Sequence, residues 1–231
     1  MIVAIAGMPR SASTFSFNIA RELLGATGSV AAISDNTLNP KLAEDTAHLI
    51  IKTHNPDQPL MEQIAGKKIP CLCTYRKPED AIASWVRVFG GTVESATIIM
   101  ESWLEWHVKI HDKVLNLSYE QIETNQLDTI IRIQIYLTGC KDLSQAEKLN
   151  ETYQKSALKD RIDALQKSDD TTDIGFSYYD NKTFFHRRHI SSIRSIAAED
   201  EFSPSQISTI RNQLIEYIDG SGNYILQESK Y

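Results

Sequence analysis

Three short clusters carry residue types suited to holding an anion and moving a proton. The first is Gly7-Met8-Pro9-Arg10-Ser11-Ala12-Ser13-Thr14. It follows an apolar run at 2–6 and opens a stretch in which Ile19, Leu23 and Leu24 fall on one helical face. A strand, a tight loop and a helix start, in that order, suit anion binding. The unpaired N–H groups of the first helical turn converge on one spot, and the helix dipole adds partial positive charge there. Ser11, Ser13 and Thr14 bring hydroxyl donors, and Arg10 brings a fixed charge at the loop's apex. The second cluster, Lys52-Thr53-His54, ends another apolar run. A histidine titrating near neutrality is suited to take a proton from a hydroxyl. The third is Arg76-Lys77-Pro78-Glu79-Asp80-Ala81-Ile82-Ala83-Ser84. Arg76 is placed to hold an anion, and Asp80 and Ser84 share a helix face.

The first cluster departs from the loop of nucleoside triphosphatases, G-x-x-x-x-G-K-[ST], at specific places. Gly7 and Thr14 match its ends, but Ala12 replaces the second Gly and Ser13 replaces the Lys. The cation has moved to Arg10. A metal-dependent site of that kind also needs an Asp at a strand end to help hold Mg²⁺. Here the strand ends carry Lys52-Thr53-His54 and Tyr75-Arg76. The pattern predicts direct binding of anionic groups, with no metal. Cys71, Cys73 and Cys140 are too few and too dispersed for a metal site and read as reduced core thiols.

For the clusters to meet, the chain must bring them to one end of a sheet. Apolar runs at 2–6, 48–53, 69–75 and 114–117 read as strands. Stretches at 14–24, 60–65, 79–88, 94–110 and 122–137 read as helices, with Pro78 at a helix start that tolerates its fixed φ. The alternation predicts an α/β class, a P-loop-like three-layer fold with a central parallel β-sheet flanked by helices. Ligands of open sheets bind outside the carboxyl ends of the strands, where all three clusters fall. Residues 29–47 read as mixed and polar. After Gly139 the chain reads as helical to about Gln166, then as an acidic loop over 167–183, then as a last helix from Pro204 to about Tyr217.

Lys and Arg total 24 against 30 Asp and Glu, a net charge of −6, which argues against non-specific nucleic-acid binding. No apolar run approaches the ~20 residues of a membrane helix, and no signal-peptide pattern is visible. The expectation is a cytoplasmic protein without nucleic-acid or membrane partners. Trp85, Phe89, Trp103, Trp106 and His107 cluster in two neighbouring helical stretches and read either as core or as pocket lining. The pairs Tyr178-Tyr179 and Phe184-Phe185 read as a possible lid.

Taken together, 7–15, 52–54 and 76–84 resemble the sulfotransferases that use 3′-phosphoadenosine 5′-phosphosulfate (PAPS), with the cytosolic small-molecule branch the nearest pattern. The resemblance implies that Arg10, Ser11, Ala12, Ser13 and Thr14 hold the 5′-phosphosulfate and that Phe15 takes the place of an adenine-stacking Trp. It implies that Arg76 and Ser84, eight residues apart, bind the 3′-phosphate. Lys52, His54 and Arg10 would be catalytic, His54 as general base, with Glu101 as a minor alternative. Tyr119 in Ser118-Tyr119-Glu120 would lie near the adenine. His186-Arg187-Arg188-His189 resembles a C-terminal basic loop, which puts Arg187 and Arg188 at the 3′-phosphate. The acceptor would be a small-molecule or glycan hydroxyl, with Phe89, Trp103, Trp106 and His107 as candidate lining.

There are departures. Arg10 stands where cytosolic members usually have Lys, Phe15 stands for Trp, and 187–189 lacks the family's Gly. The implied organisation is one domain over 1–231, with 1–120 the nucleotide-binding core and 140–231 covering the active site. Two other readings compete. A nucleoside-kinase-type phosphotransferase is opposed by the missing Lys. A non-catalytic nucleotide-binding module is opposed by the Lys52/His54 pair.

Overall fold

The structure is a computed structural model, and it describes residues 1–173, 177–186, 190 and 195–226. Its centre is a five-stranded parallel sheet of β1 (Ile2–Ile5), β2 (Val30–Ser34), β3 (His48–Lys52), β4 (Cys71–Tyr75) and β5 (Leu115–Ser118), in the order β2-β3-β1-β4-β5. Side chains alternate across a strand, and the core divides accordingly. Val3, Ile5, Ile50, Leu72, Leu115 and Leu117 face α1 (Ser13–Gly25) and, later in the chain, α6 (Gln126–Thr138). Ala4, Ala6, Leu49, Ile51, Cys71 and Cys73 face the other side. That side is covered by α2 (Gln58–Ala65), α3 (Pro78–Phe89) and α4 (Val93–Ile110). Both faces are buried, which is why these strands read as near-continuous apolar runs. The expected α/β class, with a parallel sheet flanked by helices, is the fold observed.

Several elements differ from the sequence-based expectation. β2 lies inside 29–47, which reads as polar. It is an edge strand paired to β3 alone, and it is half-exposed, so its Val-Ala-Ala-Ile-Ser sequence carries little strand signal. The stretch at 122–137 is two helices, α5 (Tyr119–Thr124) and α6, broken at Asn125. Beyond them come α7 (Leu143–Thr152) and α8 (Lys155–Asp163). The acidic loop contains a short antiparallel hairpin, β6 (Thr171–Asp173) and β7 (Tyr178–Asp180), and α9 (Pro204–Gln213) follows. Among the described residues no helix is long and apolar enough to cross a membrane.

β1 is central, and the chain leaves it towards β2 and β3 on one side before crossing to β4 and β5 on the other. The turn after β1 therefore sits at the topological switch point. Gly7 opens that turn by close approach. A Cβ there would lie 2.1 Å from Thr74 Oγ1 and 2.7 Å from Ser13 Cβ. Gly7→Ala is expected to destabilise the chain by about 1–3 kcal/mol through overpacking, read as a lowered midpoint in urea unfolding. An unchanged midpoint would show that the turn can move away.

Candidate active site

The loop 7–14 is held in an uncommon conformation. Arg10 (φ 65°) and Ala12 (φ 68°) both occupy the left-handed region, which costs a non-glycine residue energy and persists where the surroundings over-determine it. Ser11 supplies that constraint. Its Oγ lies 2.6 Å from Met8 O, 3.0 Å from Thr74 O and 2.7 Å from Thr74 Oγ1. Ser11 was expected to offer a hydroxyl to the ligand. It is instead fully buried, pins the loop to β4 and does not line the cavity. With Ala12 at the N-cap, no side chain caps α1, and the amides of Ser13 and Thr14 have no acceptor among the described residues.

These amides open into a cavity of about 290 Å³ beyond the carboxyl ends of β1, β3, β4 and β5. Arg10, Ala12, Ser13, Thr14 and Phe15 line it from the first cluster, Lys52 and His54 from the second, and Arg76 and Ser84 from the third. Tyr119 enters from the end of β5, where Ser118 caps α5 by accepting from Gln121 N. Arg187 and Arg188 lie outside the described residues.

The charges in the cavity are of one sign where the clusters meet. Arg10 Nε donates to Ser84 Oγ at 3.1 Å, and its guanidinium lies 5.6 Å from the Phe89 ring centre. Burial, and then the Arg76 charge, push its pKa down to about 10. Burial alone pushes Lys52 down to about 8. The Arg76 guanidinium lies over the Tyr119 ring at 4.3 Å and donates to Ile196 O at 3.1 Å, while its Nε is buried without a partner among the described residues. Burying unpaired guanidinium donors beside other cations is costly, and a bound anion would offset that cost.

His54 Nδ1 lies 2.6 Å from Gly7 O. A carbonyl can only accept, so the proton sits on Nδ1 and Nε2 keeps its lone pair. Burial, followed by the Lys52 charge, holds the His54 pKa down at about 3. Glu101 accepts from Gln213 and does not line the cavity.

The aromatic candidates separate. Phe89 and Trp85 line the cavity, with ring centres 4.5 Å apart. Trp103, Trp106 and His107 are buried in the layer between α4 and the sheet and do not line it. Tyr179, Phe184 and Phe185 do line it, so the pairs read as a lid border the site.

Sequence reasoning missed other lining residues. Arg87 follows Ser84 by three positions on α3, a spacing that shares its face. Tyr153, whose ring meets Phe15 edge-on at 6.4 Å, and Lys155, which pairs with Glu123 at 2.6 Å, carry no such signal. Distant helices bring them in.

The histidines make a pH prediction. His54 (about 3) and His107 (about 4) both have depressed pKa values from burial. Their contribution to stability is present above the unfolded value near 6.5 and is lost as pH falls towards those folded values. Between about pH 6 and 4.5 stability should fall by up to about 1.4 kcal/mol per pH unit for each histidine. His54→Gln should remove one such share of the slope, measured by urea unfolding across that range. An unchanged slope would mean that His54 is not buried as a neutral ring.

No family model and no curated protein matches the chain. Solved structures do. The structure of mouse sulfotransferase SULT7A1 complexed with PAP aligns over 93% of this chain and 82% of that one, with TM-score 0.67 and 14% identity. Retinol dehydratase in complex with androsterone and the inactive cofactor PAP aligns over 93% and 80%, with TM-score 0.63 and 16% identity. Retinol dehydratase with retinol and PAP gives the same coverage, TM-score 0.64 and 15% identity. At such identity the likeness is one of fold, and the fold of this chain is the one these PAP-bound structures share.

Proposed function

We propose that the chain transfers a sulfuryl group from PAPS to the hydroxyl of a small-molecule or glycan acceptor. One observation carries the reading. Arg10, Lys52, His54, Arg76 and Ser84, from three separate segments, line one cavity at the switch point of the sheet. The amides of Ser13 and Thr14, with Arg10, take the 5′ end of the nucleotide. Arg76 and Ser84 take the 3′-phosphate, joined by Arg187 or Arg188. Phe15 and Tyr119 take the adenine. The bound donor supplies an activated sulfuryl group with a 5′-phosphate as leaving group. Cations occupy the strand ends where a Mg²⁺-dependent site places a carboxylate, so the reading requires no metal. In this reading 1–231 act as one domain, with 1–120 binding the nucleotide and 140–231 covering it.

His54 takes the acceptor's hydroxyl proton on Nε2 while Gly7 O holds the tautomer. In the free protein its low pKa owes part of its depression to Lys52 and Arg10. An anion beside those cations offsets them, so His54 becomes a better base once the donor is bound. Lys52 and Arg10 then stabilise charge developing on the leaving oxygen. Trp85 and Phe89 form an apolar wall for the acceptor.

Two experiments test this. In a thermal-shift assay 3′,5′-diphosphoadenosine (PAP) should raise the melting temperature and ATP with Mg²⁺ should not. The reverse would favour a phosphotransferase. Arg76→Ala should weaken PAP binding by about 1.5–3 kcal/mol. In a mass-spectrometric screen for sulfated alcohols, phenols and glycans, His54→Ala should lose turnover by about 10²–10⁴ with PAP affinity retained. Near-wild-type turnover in that variant would remove His54 from the role.

A further inference from the structure

The peptide carbonyls around His54 are held by ring N–H groups. On α4, Trp103 Nε1 donates to Ala6 O at 3.1 Å. His54 Nδ1 donates to the next carbonyl, Gly7 O. Trp106 Nε1, nearly one turn further along α4, donates to His54 O at 3.3 Å. One helix therefore grips both the entrance to the loop 7–14 and the segment that carries the base.

The grip has its own support. The two indoles meet edge to face, with centres 5.4 Å apart. His107 stacks on Trp103 at 4.2 Å and 19°. Its Nε2 lies 2.8 Å from Asn116 Oδ1 on β5, and Asn116 Nδ2 donates to His111 O at 2.6 Å. The amide's oxygen is thus turned to His107, which carries its proton on Nε2. The same helix packs Met100 and Leu104 into this layer as apolar side chains without an N–H or O–H donor. The indole N–H groups add what packing does not need, which is direction on two carbonyls flanking the site.

We propose that Trp106 is a positioning residue for His54: its indole N–H holds the His54 carbonyl and so fixes how the imidazole meets Gly7 O and presents Nε2 to the cavity. Trp103 holds the strand end that carries Gly7. Neither indole lines the cavity, so both act through the base segment. The inference deepens the sulfotransferase reading and rests on His54 being the base.

The test places 3-benzothienylalanine at position 106 by codon suppression, which keeps the bicyclic ring and removes the N–H alone, with Trp106→Phe in parallel. In the free protein, long-range proton–nitrogen spectra of the imidazoles should show His54 losing its pure Nδ1–H tautomer. In the 3-benzothienylalanine protein PAP affinity should stay at the wild-type value and melting temperature should fall by no more than a few degrees, as the loss of one hydrogen bond predicts, while Trp106→Phe, which also opens a cavity, should melt lower. Turnover should fall on the order of 10-fold with donor KM unchanged, as misorientation of a catalytic group predicts. In a His54→Ala background the same replacement should have no further effect. An unaltered His54 tautomer in the 3-benzothienylalanine protein overturns the proposal. So does a fall in turnover matched by equal falls in PAP affinity and melting temperature, which would make Trp106 a packing residue. The tautomer is read without turnover. A wild-type protein that transfers no sulfuryl group would sink the sulfotransferase reading, while the spectra still decide whether Trp106 directs His54.

Discussion

The close approach of β1 to β4 at Gly7 governs the geometry of everything around the cavity. No Cβ fits between Gly7, Thr74 and Ser13, so the chain can turn tightly enough to start α1 directly over the sheet. Ser11 then ties the turn to Thr74, and the strained backbone at Arg10 and Ala12 is held open. The Gly7 carbonyl, left facing β3, becomes the acceptor for His54. One contact thus sets the amides that face an anion and the tautomer of the ring beside them.

Around that turn the cavity concentrates positive charge out of water. Arg10, Lys52 and Arg76 sit together, and burial depresses the first two towards their neutral forms. Unfavourable interactions in the free protein of this kind are a recognisable mark of binding sites. They also act on the proposed base: burial first, and then the Lys52 and Arg10 charges, hold the His54 pKa down, and these are the cations that would hold an anion. Binding and basicity are therefore coupled through the same charges.

The apolar layer under α4 serves the site indirectly. Trp103, Trp106 and His107 pack as core residues, yet their ring N–H groups bond Ala6 O, His54 O and Asn116 Oδ1 on β5 respectively. Buried polar groups are tolerated when they are paired, and here the pairing joins the sheet's edge to its centre.

Much of this was legible in the residues themselves. Short apolar runs ending in Gly7, Lys52 and Arg76 announce strands whose carboxyl ends carry chemistry, because a strand buried on both faces has few other sequences available to it. The spacing of Arg76 and Ser84 puts one just before α3 and the other within it, so a single strand-to-helix turn carries both. β2 was not legible, because an edge strand of small residues is defined by its partner β3 rather than by its own side chains. Ser11 looked like a ligand donor, and only the approach of Thr74 decided that its hydroxyl faces inward. Tyr153, Lys155 and Glu123 line the pocket because α5, α7 and α8 fold back over it, and no local pattern encodes that return. The sequence by itself determined the class of sheet, the loop and the charges at the strand ends, since those depend on local periodicity and residue type. The tertiary structure decided which side chains face the cavity and which support it, since that depends on contacts between residues far apart in the chain.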